Sequence, residues 1–190
     1  MDDPFADLPK HHFGAILADP PWQFSTYSEC GRDRCADRHY GTPSIDQLFT
    51  LPVSSLAATN CVLFLWATDP QLPDAFELLN RWGFSYKTVG YYWVKTNKIS
   101  NGYFTGCGYW TRANPEQCLL GTKGKPKRIN RDVHRLIVSR RREHSRKPDC
   151  VHDRIERLVA GPYLELFARQ SRPGWTTWGN ERTKFDGAAA

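Results

Sequence analysis

The residues best suited to chemistry form one short stretch, Asp19-Pro20-Pro21-Trp22, directly after an apolar run. A proline has a fixed φ and no N–H group, and the residue before a proline is held extended. The stretch therefore directs a carboxylate and the Pro20 carbonyl toward one point, with the Trp22 indole beside them. Two acceptors and a stacking ring could grip a planar group that carries an NH₂. On these four residues alone, a simple turn with Trp22 in the core is an equally good interpretation.

The elements that must position this stretch alternate between strands and helices. Continuously apolar strands separated by helices favour an α/β fold with a parallel or mostly parallel sheet covered on both faces. Ligands bind beyond the carboxyl ends of such strands, and Asp19 follows the first of these ends. The pattern predicts strands at 13–18, 61–66, 85–94, 116–122 and 163–168, and helices at 43–51, 69–82 and 148–159.

Length and composition predict one domain over residues 1–190. Hydrophobic residues make up 40% and charged residues 24% of the chain, which is typical of a globular protein. Two long segments, 23–43 and 98–115, lack periodicity and predict loops. Loops of this length in compact domains are usually functional or mobile.

The net charge of +6 is concentrated in one basic segment, residues 122–148. Eleven Lys and Arg stand there against two acidic residues, so the segment carries +9 and the rest of the chain −3. Such a segment repels itself unless a polyanion is near, and we expect it to contact a nucleic-acid backbone. Arg140, Arg141 and Arg142 would bind phosphates without reading sequence. A solvated face, or a subunit interface around 136–138, is the alternative.

Several classes of protein are disfavoured. No apolar run approaches eighteen residues, so we expect no transmembrane helix and no membrane partner. The acidic N-terminus lacks the apolar region of a secretory signal. The six cysteines form no C-x-x-C pair and lack zinc-ligand spacings. We therefore expect a cytoplasmic protein with reduced thiols and no metal.

Asp19-Pro20-Pro21-Trp22 is one of seven blocks that together resemble a known family. The stretch resembles motif IV of the AdoMet-dependent adenine-N6 methyltransferases, and the blocks resemble the family named after the seventy-kilodalton subunit of the mRNA N6-adenosine methyltransferase. The resemblance covers about 13–181, nearly the whole chain. The other blocks, in family order, are residues 39–42 (HYGT), 63–66 (LFLW), 93–97 (WVKTN), 144–149 (HSRKPD), 165–169 (ELFAR) and 178–181 (WGNE).

The resemblance implies a Rossmann-like class I methyltransferase sheet with permuted motif order. The catalytic strand comes first, and the strand that binds S-adenosyl-L-methionine (AdoMet), 163–168, comes near the C-terminus. AdoMet would be the cofactor, and no metal is required. Many methyltransferases carry a glycine-rich loop after that strand, whereas this chain has Ala-Arg-Gln-Ser-Arg at 168–172. Members of this family also lack the loop.

The resemblance also implies roles for individual residues. Asp19, Pro20, Pro21 and Trp22 would form the catalytic motif, with Asp19 also beside the AdoMet sulfonium. The other cofactor contacts would be Lys147, Gln170, Arg172, Asn180 and Glu181, and Lys147 could alternatively contact the acceptor. The acceptor side would comprise Tyr40, Trp66, Lys95 and Glu116. For each of these four, an ordinary packing or surface role is the competing interpretation.

The implied reaction transfers a methyl group from AdoMet to the exocyclic N6 of adenine. That nitrogen is a poor nucleophile because its lone pair is delocalised into the ring. If Asp19 and Pro20 accept its two hydrogens, a pyramidal and nucleophilic nitrogen is favoured. An in-line approach within about 3–3.5 Å of the methyl carbon would supply much of the remaining rate.

The nucleic acid that carries this adenine is a separate question. A compact chain without a target-recognition region is more similar to bacterial or phage members than to the long eukaryotic ones, which favours DNA. The same chemistry on RNA is the first alternative. A non-catalytic nucleic-acid-binding partner subunit is the second, and the intact catalytic motif argues against it. A homodimer is compatible with the resemblance because family members commonly pair.

Overall fold

The structure, a computed structural model, describes residues 3–22, 43–143 and 145–187. Three α-helices are present in these ranges: α1 (Ile45–Thr50), α2 (Leu72–Arg81) and α3 (Cys150–Leu158). The described strands are β1 (Phe13–Ala18), β2 (Ala57–Ala67), β3 (Ser85–Thr96), β4 (Glu116–Lys123), β5 (Leu136–Arg140), β6 (Tyr163–Leu166) and β7 (Trp175–Trp178).

These seven strands form one sheet in the order β5-β3-β4-β2-β1-β6-β7. Four neighbouring pairs are parallel, β1 with β2, β1 with β6, β3 with β5 and β6 with β7. The strand β4 runs antiparallel to both β2 and β3. The predicted α/β class and mostly parallel sheet are therefore confirmed, with the correction that β4 is reversed.

The reversal of β4 decides which residues meet at one edge of the sheet. The parallel strands β1, β2 and β6 all end there, and β4 begins there, because its Gln117 pairs with Ala67 at the end of β2. Glu116 pairs with Trp93 near the end of β3, and Arg140 closes β5 beside Thr96. We call this edge, with the residues that follow its strands, the site edge.

Two apolar layers cover the sheet and fix its position relative to the helices. On one face α1 and α2 bury Leu48, Leu78 and Leu79 against the sheet. On the other face α3 buries Val151 and Ile155. Each such side chain contributes about 1.5–3 kcal/mol when it leaves water, so the helices hold the strands and, with them, the site edge.

Local sequence explains where these helices begin and end. Ser44 caps α1 in a reciprocal capping box with Gln47, which satisfies two backbone N–H groups at its start. Asp69–Gln71 forms a 3₁₀ turn before α2, so the predicted start of that helix at residue 69 is early by about one turn. Gly83 follows α2 with φ +80, a conformation that favours glycine.

Candidate active site

Asp19 is the first residue after β1 at the site edge, and it binds Lys147. The Lys147 Nζ lies 2.8 Å from both Oδ1 and Oδ2 of the carboxylate. Lys147 precedes α3, and 128 positions separate the two residues in the chain. The fold, rather than local sequence, therefore brings together the two residues that the sequence analysis placed on the catalytic and cofactor sides.

A second carboxylate extends this ion pair into a row of alternating charges. Glu116, at the start of β4, accepts from Lys147 Nζ at 3.3 Å and from Lys95 Nζ at 2.6 Å. The order Asp19, Lys147, Glu116, Lys95 thus alternates in sign, and we call these four residues the charge row. Their side chains are only 14–17% exposed. Buried charges are tolerated when each has a partner, and here every one does.

The protonation states follow from this pairing. Burial alone raises the pKa of Glu116, but the ammonium groups of Lys147 and Lys95 outweigh it and lower that pKa to about 2. Burial also opposes the charge on Lys147, yet the Asp19 and Glu116 carboxylates outweigh it and raise the Lys147 pKa above its ordinary value. Glu116 is therefore ionised and Lys147 protonated at neutral pH.

Aromatic rings lie beneath the two lysines. Lys147 Nζ is 5.5 Å from the centroid of the Trp66 ring, and Lys95 Nζ is 5.3 Å from that of Trp93. Both tryptophans are buried in the layer on the α3 side. A cation over an indole face is attracted by the ring quadrupole. Trp66, predicted as a structural or base-pocket residue, forms the floor of the site.

Trp22 lies in a different place from the one expected for a stacking residue. It is 6% exposed and belongs to the core on the α1 and α2 side. Its Nε1 donates to the carbonyl oxygen of Trp66 at 2.9 Å, which ties the segment after β1 to the end of β2. The indole packs in the core, so the geometry favours the core interpretation of Trp22 over the stacking one, and a role toward the base stays a prediction.

Arg142 holds the backbone of Lys147 in place. Its guanidinium donates twice to the Asp149 carboxylate, at 2.6 and 2.8 Å, and once to the Lys147 carbonyl oxygen at 2.8 Å. A bidentate Arg–carboxylate pair is directional as well as strong. Three of its donor hydrogens are engaged within the fold, which disfavours phosphate binding by Arg142, but that expectation stays a prediction. Asp149 is a site-supporting residue that the sequence analysis missed.

The other predicted cofactor residues lie around the ends of β6 and β7. Gln170 accepts from the buried Arg146 at 3.1 Å, and a cavity of about 400 Å³ opens beside both side chains, with Phe185 in its wall. Glu181 pairs with Lys184, and Asn180 is exposed after β7. Arg172 instead points to α3, where it binds Asp153 and Glu156. The structure thus separates Arg172 from Gln170, Asn180 and Glu181.

Two arginines of the basic segment remain on the surface of the site edge. Arg140 and Arg141 are exposed at the end of β5, and the Arg141 guanidinium lies 3.9 Å from the centroid of the Phe104 ring. At least five other cations of the segment contact protein groups, so the excess charge available to a partner is smaller than composition indicates. These five are Lys123, Arg135, Arg142, Arg146 and Lys147. Tyr40 and most of the 23–43 segment lie outside the described residues.

The described residues form neither a membrane-spanning helix nor a cluster of metal ligands. No helix there is long and apolar enough to cross a membrane. No group of three or more His, Cys, Asp or Glu side chains is placed to hold a metal ion, again among the described residues. His152 of α3 pairs with Glu165 of β6, with 2.8 Å between its Nε2 and the carboxylate oxygen.

Comparisons with known proteins agree with this fold and site edge. The MT-A70 family model matches residues 13–181. The type II methyltransferase M.MunI of Mycoplasma is 33% identical over 199 residues, covering 95% of this chain and 82% of its own. The human N(6)-adenosine-methyltransferase catalytic subunit METTL3 is 35% identical over 174 residues, covering 89% of this chain. The MT-A70-like N(6)-adenosine-methyltransferase of Arabidopsis thaliana is 37% identical over the same length.

The sheet is that of a Rossmann-like methyltransferase, and the enzyme class is that of the methyltransferases. The chain belongs to the MT-A70 family, as the resemblance implied. It spans 24% of the length of the Arabidopsis relative and 28% of the human one, but 82% of M.MunI.

Proposed function

We propose that this protein transfers a methyl group from AdoMet to the exocyclic N6 of adenine in DNA. The observation that carries the proposal is the Asp19 carboxylate, which stands at the site edge with both oxygens accepting from an ammonium group at 2.8 Å. A carboxylate that accepts two short N–H contacts is suited to accept from the amine of adenine. The names of the relatives, N(6)-adenosine-methyltransferases among them, agree with this acceptor.

The charge row gives the acceptor a route to Asp19. An incoming amine donates to one Asp19 oxygen and to the Pro20 carbonyl, so Lys147 must release that oxygen. Glu116 lies 3.3 Å from the Lys147 Nζ and receives the displaced ammonium without leaving it unpaired. The amine nitrogen then loses conjugation with the ring and gains nucleophilic character, and Asp19 is the base within reach of its departing proton.

The residues around Arg146 fit AdoMet. Arg146 lines the cavity of about 400 Å³ and is 5% exposed, and its buried Nε has no hydrogen-bond partner among the described residues. Such a donor suits a carboxylate or another polar group of the ligand, and Phe185 offers an aromatic wall. AdoMet supplies an electrophilic methyl group. Asp19, Lys147, Gln170, Asn180 and Glu181 would hold it, whereas the donors of Arg172 are already engaged by α3.

DNA is the proposed substrate because this chain is similar to a type II methyltransferase over most of that protein's length. The type II methyltransferase M.MunI is covered over 82% of its length, and that term denotes enzymes that modify DNA. The same chemistry on RNA is the second candidate, favoured by the similarity to METTL3. A homodimer would supply further contacts to a duplex. A non-catalytic partner subunit would have no need of the complete charge row.

The test is transfer of tritiated methyl from AdoMet to matched DNA and RNA oligonucleotides, with the modified base identified by mass spectrometry. The wild-type protein should form N6-methyladenine in DNA. Asp19→Asn keeps the size of the side chain but removes its charge, so we expect at least a hundredfold loss of transfer. The loss of AdoMet affinity should be much smaller, because the other proposed cofactor residues are unchanged. Asp74→Asn, which changes an exposed carboxylate on α2 outside the charge row, is the control. Equal loss of transfer and of AdoMet binding in Asp19→Asn would contradict an acceptor role for Asp19.

A further inference from the structure

The loop between β3 and β4, residues 97–115, is framed by two members of the charge row. Lys95 is the penultimate residue of β3, and Glu116 is the first residue of β4. Their side chains meet at 2.6 Å. The loop therefore leaves the site edge at one site residue and returns at another, so whatever enters the site passes beside it.

The base of this loop is fixed by the backbone of Lys95. Asn114 accepts from the Lys95 N–H at 2.8 Å and donates to the Lys95 carbonyl oxygen at 2.9 Å. The same carbonyl accepts from the Phe104 N–H at 2.9 Å, and Gly106 donates to Ala113 at 2.7 Å. The β3–β4 loop is thus held as an ordered projection.

Three large apolar side chains of the loop are exposed to solvent. Trp110 is 100% exposed, Ile99 91% and Tyr103 68%. An indole is among the largest apolar surfaces that a side chain can bury, and leaving it in solvent forgoes that stabilisation. Exposed apolar and aromatic side chains on one loop indicate an interaction surface.

The positive charge in and beside the loop indicates the kind of partner that it binds. The loop contains Lys98 and Arg112 but no acidic residue, and the exposed Arg140 and Arg141 stand beside it on β5 and its continuation. Arg141 is attached to the loop through Phe104, and Arg112 lines a hollow of about 340 Å³ together with Tyr103 and Phe104. Where aromatic rings and exposed cations alternate on a surface, the rings can stack on bases and the cations can contact phosphates.

We propose that the β3–β4 loop is a nucleic-acid-binding element in which Trp110 stacks on a base next to the acceptor adenine. Arg112, Arg140 and Arg141 contact the phosphates on either side. The inference rests on the proposed function, because it takes the acceptor to be part of a polynucleotide strand. It adds a second contact to that strand, outside the acceptor pocket, which would hold the neighbouring base while the adenine reaches Asp19.

The experiment compares Trp110→Ala, Trp110→Phe and Ile129→Ala with the wild-type protein. Ile129 is 57% exposed and lies on the basic segment near the end of α3, at the opposite edge of the sheet, so it is a matched control. Binding is measured by fluorescence anisotropy of a labelled adenine-containing DNA oligonucleotide. 2-Aminopurine placed beside the target adenine reports stacking directly. AdoMet affinity and the unfolding midpoint are measured on the same proteins.

We expect Trp110→Ala to bind the oligonucleotide about tenfold more weakly or worse, and the quenching of 2-aminopurine to disappear. Trp110→Phe should retain most of both. AdoMet affinity and the unfolding midpoint should not change in any variant, because Trp110 lies entirely in solvent. Ile129→Ala should bind as the wild-type protein does.

Three results would overturn the inference. In the first, Trp110→Ala binds and quenches normally while the wild-type protein methylates DNA, so that only the loop assignment fails. In the second, Trp110→Ala changes the oligomeric state by light scattering but not the oligonucleotide affinity, so that the loop is a protein interface. In the third, the wild-type protein neither binds nor methylates any oligonucleotide, so that the proposed function fails first and the inference with it.

Discussion

Glu116 has the most strongly perturbed environment among the residues of the site. Two ammonium groups contact a carboxylate that is almost entirely out of water, at 2.6 and 3.3 Å. Desolvation opposes its charge and the two cations favour it, and the cations outweigh burial. The chemical consequence is that the four charges of the charge row sum to zero, so an uncharged base can approach them without a large electrostatic penalty.

This environment makes a prediction about stability against acid. The folded pKa of Glu116 is about 2 and its ordinary value is 4.5, so the unfolded chain takes up the proton first as pH falls. The contribution is complete above pH 4.5 and is lost toward pH 2, a change on the order of 3 kcal/mol. We expect Glu116→Gln to be less stable than wild type at pH 7 and to lose this difference near pH 2. Urea unfolding at several pH values measures it.

The control for that comparison is Glu77→Gln. Glu77 pairs with Arg81 on α2, with side chains 48% and 54% exposed. Exposed pairs of this kind contribute little to stability, so this variant should follow the wild-type pH profile. A Glu116→Gln profile parallel to that of wild type would show that the charge row does not stabilise the fold.

At the scale of elements, the segment between β5 and α3 contains two kinds of arginine. Arg142 supports the Lys147 backbone through Asp149, whereas Arg140 and Arg141 extend along the surface of the site edge. Counting charges in the sequence gave all three the same expected role. Only the geometry separates an arginine that orders the turn before α3 from arginines that remain available to an anion.

This separation predicts different salt dependences for the variants. Replacing both Arg140 and Arg141 with Ala removes two phosphate contacts, so the slope of log Kd against log salt should fall by about 2 with little change in stability. Arg142→Ala should instead lower the free energy of unfolding by about 1–3 kcal/mol and impair methyl transfer, because Asp149 and Lys147 lose their partner. Its salt slope should match that of wild type. A reduced slope in Arg142→Ala would return Arg142 to the phosphate-binding group.

The sequence was sufficient for those elements whose pattern is unambiguous. Apolar runs located five strands, and the Asp-Pro-Pro stop located the start of the site. The direction of β4 was out of reach, because the run Cys118-Leu119-Leu120 is equally compatible with parallel and antiparallel pairing. The strand β7 was missed since its Trp-Thr-Thr-Trp sequence is only partly buried and follows a proline.

Individual contacts were predictable to a smaller extent. The family resemblance implied that Asp19, Lys95, Glu116 and Lys147 are site residues but gave no reason for them to form a row. That row depends on strands far apart in the chain, and on the reversed β4. The burial of Trp22 was also open, since an indole after a strand suits a core and a stacking site equally well.

At the scale of the whole molecule, the pairing of β1 with β6 joins β6 and β7 to the other five strands of the sheet. Gly14 of β1 lies where the chain before β6 approaches most closely, and a Cβ placed there would be 2.8 Å from the carbonyl oxygens of Ala160 and Gly161. Neither oxygen belongs to a flexible side chain. Glycine at this position therefore permits the spacing that sets Asp19 beside the end of β6.

We expect Gly14→Ala to destabilise the whole protein by about 2 kcal/mol or more, because backbone atoms must shift to accept the methyl group. Gly90→Ala in β3 is the control, since its Cβ would meet neighbours at 3.4–3.5 Å, an ordinary contact distance. Chemical unfolding of the two variants gives the comparison. Similar free energies of unfolding for both would mean that the β1–β6 approach is not limiting.

The clamp at the base of the β3–β4 loop has a consequence for how this protein could diversify. The side chain of Asn114 and the N–H of Phe104 are hydrogen-bonded to the backbone of Lys95. The loop is thus closed at its base, next to the charge row. Residues beyond that closure can be exchanged, lengthened or shortened without displacing Lys95 or Glu116, since loop length adds little to the entropy of closure. The fold thus separates the charge row from a loop whose sequence can change. With the loop binding nucleic acid as proposed, exchanging it between homologous enzymes is a way to alter their target preference.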